Sequence, residues 1–310
     1  MFLPRAQCLL TNKKKHILDS ALTASQPPVK KVRVSQPLSI VSSPLGLTWD
    51  KDNYSCGYDA LLVILFDIWR DNPKIWSGVL RSMNRHSALL SQGFDKIRKG
   101  SVTFEQVRDT WRNDLHSANP TMYPRGAHSI NVAGLAEEML KVTESIGSSQ
   151  HQCARCDYAE NTIDDKLTYV LHADSTTKYS TNNWINNLSQ STHRKCPNCK
   201  HEMKQVIFYN EVPNIAILEY PMRNIQTSHS LEFLTQEGDK QILQLRGMVY
   251  HGGYHFTSRI VSAEKDIWYH DSINTGKMCL KDGIVGNLTN DQLRVCRGRD
   301  LVLAVCALKH

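Results

Sequence analysis

The sequence predicts an α+β fold. Three observations carry the prediction: helical apolar spacing dominates the stretch from residue 47 to 145, strand-like runs dominate from Val206 onward, and a polar, cysteine-bearing stretch separates the two. Helices followed by strands, with no internal repeat, argue against a parallel α/β sheet.

The first expected helix runs from Cys56 to Trp69, with apolar residues at 61, 64, 65 and 68, and Asn72-Pro73 ends it. Further helices are expected at Lys74–Asn84, Thr103–Leu115 and Asn131–Ser145. Residues 150–210 are rich in Thr, Asn and Ser and carry paired cysteines. Strands are expected at Ile215–Leu218, Leu243–Leu245, His255–Val261 and Leu301–Val305.

The 310 residues, 41% of them hydrophobic, are enough for one large domain or two ordinary ones with a sizeable core. The longest apolar run, Ala60 to Phe66, is far too short to span a membrane. Most of the charge in the first fifteen residues follows the apolar ones, and no small-residue cleavage site stands out, so a secretory leader is not expected. An intracellular protein, cytoplasmic or nuclear, with reduced thiols is the expectation.

The net charge of +7 is unevenly placed. Residues 1–46 hold seven basic residues against the single acid Asp19, a net +6, which leaves +1 for residues 47–310. Bulk charge therefore argues against a nucleic-acid-binding body. The same 46 residues contain Ser-Gln-Pro-Pro, Ser-Gln-Pro and Ser-Ser-Pro runs without sustained periodicity, the composition of a disordered basic tail. Its cluster Lys30-Lys31-Val32-Arg33 has the form of a nuclear-import address, or of a solvated charge run.

Nine cysteines in a reducing compartment need an explanation other than disulfides. Cys153-x-x-Cys156 and Cys196-x-x-Cys199, 39 residues apart, have the spacing of two metal knuckles. Each turn lets two thiolates meet one ion, and two turns complete a tetrahedral shell, which points to structural zinc. The gap leaves room for two β-hairpins to reach out and back. A redox pair or two disulfides is the competing reading, and His151, His193 and His201 stand near enough in sequence to replace a thiolate.

Cys56 opens the first helix, where the helix dipole and free amides stabilise a thiolate. The residues before it, Asp52-Asn53-Tyr54-Ser55, offer capping groups. The competing reading is a buried core thiol; Cys8, Cys279, Cys296 and Cys306 are expected to be buried in that way or exposed without a role. About two hundred residues downstream, His255 opens a strand-like run and Asp271 follows another, Trp268-Tyr269-His270. Adjacent strands carrying imidazole and carboxylate place them side by side, so that the carboxylate holds the ring and the ring takes the thiol proton. Gly252-Gly253 leave room for a substrate backbone.

The order of parts from residue 47 to 310 resembles the ubiquitin-specific protease family of papain-like cysteine deubiquitinases. The resemblance covers Asn53-Tyr54-Ser55-Cys56 as the cysteine box, the paired knuckles as zinc-bearing fingers, and Val212-Pro213-Asn214 with Ile215–Leu218 as the strand that follows them. It continues through Tyr254-His255 and Trp268–Ser272 as the histidine box, and Leu301–Leu308 as a closing strand. It implies a papain-like fold of thumb, zinc-bearing fingers (about 150–210) and palm. It also implies a substrate tail ending in Gly-Gly on ubiquitin or a ubiquitin-like modifier, cleaved at the isopeptide bond by Cys56, His255 and Asp271.

The chain departs from the family pattern in three places. The amide usually found five or six residues before the cysteine is replaced by Lys51 and Asp50, which makes Asn53 the nearest candidate oxyanion donor. Tyr-His-Phe stands for Gly-His-Tyr. Spacing after Trp268 also admits His270 in the third place, although a carboxylate orients an imidazole better. These departures describe a divergent member, with a catalytically inactive modifier-binding module as the alternative.

Overall fold

The computed structural model describes residues 43–166, 168–172, 181, 189–220, 226–234 and 240–310. The chain divides into two units, residues 1–41 and 42–310, and the described residues all belong to the second. The expected basic tail up to residue 42, with its cluster at 30–33, lies outside them.

Helix α1 (Cys56–Asp71) is buried on all sides along nearly its whole length, with Asp59 and Asp67 as its buried charges, which makes it a core helix rather than an amphipathic surface one. Helices α2 (Pro73–Met83), α4 (Phe104–Ala118) and α5 (Val132–Leu140) pack around it, and α3 (Arg85–Arg98) packs on α2, α4 and α5. Asn72 both ends α1 and caps α2, its side chain accepting from the Ile75 amide with Pro73 at the first helical position. Thr103 and Gln106 form a capping box at the start of α4.

Two helical expectations need correction. A separate α3 exists where none was foreseen. Asn84 caps it by accepting from Ser87 N at 2.9 Å. The expected helix over Asn131–Ser145 stops at Leu140. Asn84 Nδ2 donates to the carbonyls of Glu138, Met139 and Lys141 at 2.9, 3.1 and 2.7 Å, so one amide satisfies the end of α5 that a further turn would have used.

Strands β1 (Gly147–Cys153), β2 (Ala159–Lys166), β4 (Ser189–Lys195) and β5 (Glu202–Tyr209) form a four-stranded sheet in the order β2-β1-β5-β4. It consists of two antiparallel hairpins joined through β1 and β5. This is the fingers layer, and each hairpin carries one cysteine knuckle at its turn.

The palm is a nine-stranded sheet. Its main path runs β11 (Leu280–Ile284), β10 (Asp266–His270), β9 (His255–Val261), β8 (Lys240–Gly252), β13 (Arg299–Ala307), β6 (Ile215–Glu219) and β3 (Val170–His172). Strand β7 (Ser230–Leu234) pairs with β8, and β12 (Val295–Cys296) pairs with β13. Period-two alternation sorts its side chains between two cores. Val249, Ile260, Leu303 and Val305 face the helices, while Met248, Tyr250, Leu301 and Ala304 face the opposite side, where α6 (Asn290–Arg294) adds Leu293.

α1 lies directly on β8 and β9. A Cβ at Gly247 would come within 2.4 Å of Ile64, so only glycine admits this approach. Beside it, Arg246 pairs with the buried carboxylate of Asp67 at 3.2 Å and with Asp71 at 2.8 Å. Burial pushes the Asp67 carboxyl up to about 6 against the pull of Arg70 and Arg246. This docking sets the start of α1 against the start of β9. Among the described residues no helix is long and apolar enough to cross a membrane.

Candidate active site and metal centre

The loop before α1 is held from several sides. Asp50 N donates to Ser55 Oγ (2.8 Å), and Ser55 Oγ donates to Asp59 Oδ2 (2.7 Å). From α4, Arg108 reaches Asp59 at 3.0 Å and the Thr48 carbonyl at 2.7 Å, while Arg112 donates to the Asn53 carbonyl and stacks on Tyr58. Asp59 and Arg108 are both buried, an ion pair immediately beneath the turn that presents Cys56. Burial pushes the Asp59 carboxyl up to about 6 despite Arg108.

This support lies outside the expectations drawn from the sequence. Its signal is present, since Asp59 is a charged residue on the buried, mostly apolar face that opens α1 and so requires a buried partner.

Cys56 is half-buried at the first position of α1, and no side chain caps that end among the described residues. The α1 terminus therefore keeps N–H groups close to the sulfur. Gly57 lets the turn pass near Ile130 and Phe256, to which a Cβ would come within 3.1 and 3.5 Å.

His255 opens β9 directly after a two-residue hairpin turn. Gly252 pairs with His255, and the turn residues Gly253 and Tyr254 have φ of 61° and 59°. His255 Nε2 lies 2.9 Å from Asp271 Oδ1, which leaves Nδ1 as the ring nitrogen open to Cys56. Burial alone would lower the imidazole pKa. The hydrogen bonds with Asp271 and Cys56 outweigh it and raise the ring to about 9.

Asp271 follows β10 and is bound on all sides. Oδ1 also accepts from the amides of Ile273 (3.1 Å) and Asn274 (3.2 Å), and Oδ2 accepts from Asn274 Nδ2 (2.8 Å) and Tyr269 Oη (3.1 Å). Burial opposes ionisation, but these donors and His255 hold the carboxyl well below the usual carboxylate range.

The structure thus brings Cys56, His255 and Asp271 together. His270 points elsewhere, bonding the backbone of Leu47 and Gly276 at 3.0 Å, with burial holding its pKa down. His251 packs against Phe256, the rings tilted by 37° with centroids 4.5 Å apart. Asn53 sits in the same loop as Cys56, but its groups are largely engaged. Nδ2 donates to Asp50 Oδ2 at 2.8 Å, and Oδ1 accepts from Gly126 N at 2.9 Å, which leaves one amide hydrogen. The thiols of Cys279, Cys296 and Cys306 are buried, and burial pushes each of them up, Cys279 to about 12.

Cys153, Cys156, Cys196 and Cys199 converge at the tips of the finger hairpins, all four sulfurs within 4.8 Å of one another. Cys153–Cys199 and Cys156–Cys196 are 3.4 and 3.5 Å apart. A tetrahedral shell with metal–sulfur bonds of about 2.3 Å spaces its sulfurs about 3.8 Å apart, so the donor set fits a tetrahedral thiophilic metal. The two turns repeat one geometry. Cys153 N donates to Tyr158 O and Cys196 N to His201 O, each at 2.8 Å, and the fifth residues, Asp157 and Lys200, take φ of 54° and 61°. His151 and His201 are not part of the cluster.

No family model and no curated protein matches the sequence. Solved structures do match. A SAGA deubiquitinating module of Ubp8, Sgf11, Sus1 and Sgf73 bound to ubiquitin aldehyde aligns at TM-score 0.53 and 13% identity over 86% of this chain and 70% of that chain. A yeast SAGA module with a mutant Sgf73 aligns at TM-score 0.47 and 13% identity, over 86% and 68%. The module bound to monoubiquitin aligns at TM-score 0.46 and 12% identity, over 86% and 69%. The first likeness shows a shared α+β fold, a papain-like thumb, fingers and palm.

Proposed function

We propose that this chain is a cysteine-type deubiquitinase, a thiol hydrolase that cleaves ubiquitin or a ubiquitin-like modifier from its conjugates at the C-terminal glycine. The observation that carries the reading is the convergence of a helix-terminal thiol, an imidazole and a fully hydrogen-bonded carboxylate from three distant parts of the chain. The fold shared with a module bound to ubiquitin aldehyde supports the choice of substrate class. Residues 47–310 act as the catalytic domain, about 150–210 as its fingers, and 1–46 as a basic tail, in an intracellular protein.

In this mechanism the Cys56 thiol gives its proton to His255 Nδ1, and the sulfur attacks the terminal glycine carbonyl. The developing oxyanion meets the uncapped amides of α1, with the remaining Asn53 amide hydrogen as a further donor. As the C–N bond breaks, the leaving lysine amine takes the proton from His255. Water then adds to the thioester, passes a proton to the same ring, and the C–S bond breaks to return Cys56. Asp271 fixes the ring and stabilises its charged form throughout. Cys153, Cys156, Cys196 and Cys199 would hold a zinc ion that ties the two finger hairpins together. Four thiolate donors would leave no open position for chemistry, so its role would be structural.

One observation favours the alternative of a modifier-binding module without turnover. Asp50 accepts hydrogen bonds from Asp52 N and Asn53 Nδ2, and so offers no donor to an oxyanion. Release of a fluorogenic amine from the C-terminus of ubiquitin or a relative, abolished by Cys56→Ala, tests the enzyme reading. Tight modifier binding with no release, unchanged in Cys56→Ala, selects the alternative.

A further inference from the structure

Six non-glycine residues have positive φ among the described residues: Tyr54, Asp157, Lys200, Tyr254, Lys265 and Arg297. Asp157 and Lys200 shape the metal knuckles. Tyr54 and Tyr254 stand two residues before Cys56 and one before His255. A bulky aromatic residue in the left-handed region is a true outlier, and such outliers gather at functional sites, where the surrounding structure offsets their strain. Tyr254 is fully exposed, so packing of its own ring gives nothing back. A Cβ at the neighbouring Gly253 would also meet nothing within 4 Å. The tip of this hairpin is open space beside the imidazole.

Tyr54 has a partner. Its ring stacks on Trp49 at 6.2 Å with an interplanar angle of 27°, and it remains partly exposed. The Trp49 amide in turn donates to the carbonyl of Ser272, the residue after Asp271, at 3.0 Å. The Trp49–Tyr54 stack therefore bridges the loop that presents the thiol and the loop that presents the carboxylate. Tyr254 comes from the third strand end, the one that presents the imidazole.

We infer that Tyr54 and Tyr254 are specificity-determining residues whose ring faces receive the extended, glycine-ended C-terminal tail of the modifier at the mouth of the site. The inference rests on the hydrolase reading above. Flat rings accept peptide planes only where no side chain intervenes, so the pair selects a tail whose last residues are glycine. Two exposed rings kept in a strained conformation at the entrance serve binding rather than the chemical step, and their loss falls on KM.

The test is steady-state kinetics of the full chain on ubiquitin and on its small relatives, each carrying a C-terminal fluorogenic amide, alongside thermal melting. Tyr254→Gly relieves the positive φ at a fully exposed site and so folds with an unchanged or higher Tm. It is expected to raise KM about tenfold with kcat within about twofold. Tyr254→Phe and Tyr254→Trp keep the wild-type KM, and Tyr54→Gly behaves as Tyr254→Gly does. Wild-type KM in Tyr254→Gly overturns the inference and leaves the hydrolase reading standing. A fall in kcat at constant KM also overturns it, by assigning Tyr254 to positioning His255. Failure of the wild-type chain to release the amine from any of these modifiers removes the hydrolase reading, and this inference with it.

Discussion

His255 Nε2 and Asp271 Oδ1 lie 2.9 Å apart, and the carboxylate that makes this contact accepts four further hydrogen bonds from Tyr269, Ile273 and Asn274. A carboxylate so completely satisfied cannot rotate away, and it fixes which ring nitrogen faces the thiol. Asp271→Asn keeps the shape but loses the charge that stabilises the imidazolium. The expected result is a fall in kcat/KM of about 10²-fold or more, with Tm lowered only modestly. Steady-state kinetics with a parallel melt checks it.

The His255 ring is raised to about 9, against the downward pull of burial, by its bonds to Asp271 and Cys56. A folded-state value above the ordinary value near 6.5 means that its contribution to stability is fully present below about pH 6.5 and is lost as pH rises through about 9. In the proposed mechanism the same proton is the one the leaving amine takes. Activity and stability are both expected to fall as pH rises past about 9, and Asp271→Asn is expected to move that alkaline limb to lower pH. A pH–rate profile with matching denaturant midpoints measures both.

Four sulfurs within 4.8 Å of one another stand at the turns of the two finger hairpins, a donor set that fits one tetrahedral zinc ion. One zinc per chain is expected by elemental analysis of the purified protein. Cys196→Ser is expected to lose it, together with the sheet of β1, β2, β4 and β5, because metal binding supplies much of the folding free energy of a layer with so small an apolar core. Circular dichroism and limited proteolysis of the finger region, with and without a chelator, read the effect.

Asp59 and Arg108 form a buried pair 3.0 Å apart, and Arg108 also holds the Thr48 carbonyl. Arg108→Ala leaves the Asp59 charge buried without its main partner. The expected cost is about 3–5 kcal/mol of folding stability by urea unfolding. Alkylation of Cys56 is expected to lose its selectivity over other thiols, since the loop that presents the sulfur loses its hold.

Local features were legible in the sequence and non-local ones were not. The start of α1 at Cys56, the β9 span and the two knuckles each follow from patterns within a few residues. Helix α3 escaped because its buried face is partly polar, with His86, Ser87 and Ser91 beside Leu90 and Phe94, and because Gly93 lowers its helical propensity. That glycine answers to tertiary packing, since a Cβ there would come within 2.4 Å of Val107 on α4. β8 runs over Lys240–Gly252, well beyond the expected Leu243–Leu245. Arg246 and Gly247 break its strand signature, and each is explained only by α1, through Asp67 and Ile64. At the site, the order of thiol, imidazole and acid was readable. The pairing of Leu47 with His270, and of Trp49 with Ser272, joins segments more than two hundred residues apart, and no local pattern announces it.

The most direct measurement is intact-mass analysis after exposing the full chain to ubiquitin and each of its small relatives bearing a C-terminal electrophile. The hydrolase account predicts one covalent adduct with at least one modifier, attached at Cys56, absent in Cys56→Ala and strongly slowed in His255→Ala. A folded wild-type chain that forms no adduct with any of them, or one that reacts equally well in Cys56→Ala, contradicts it.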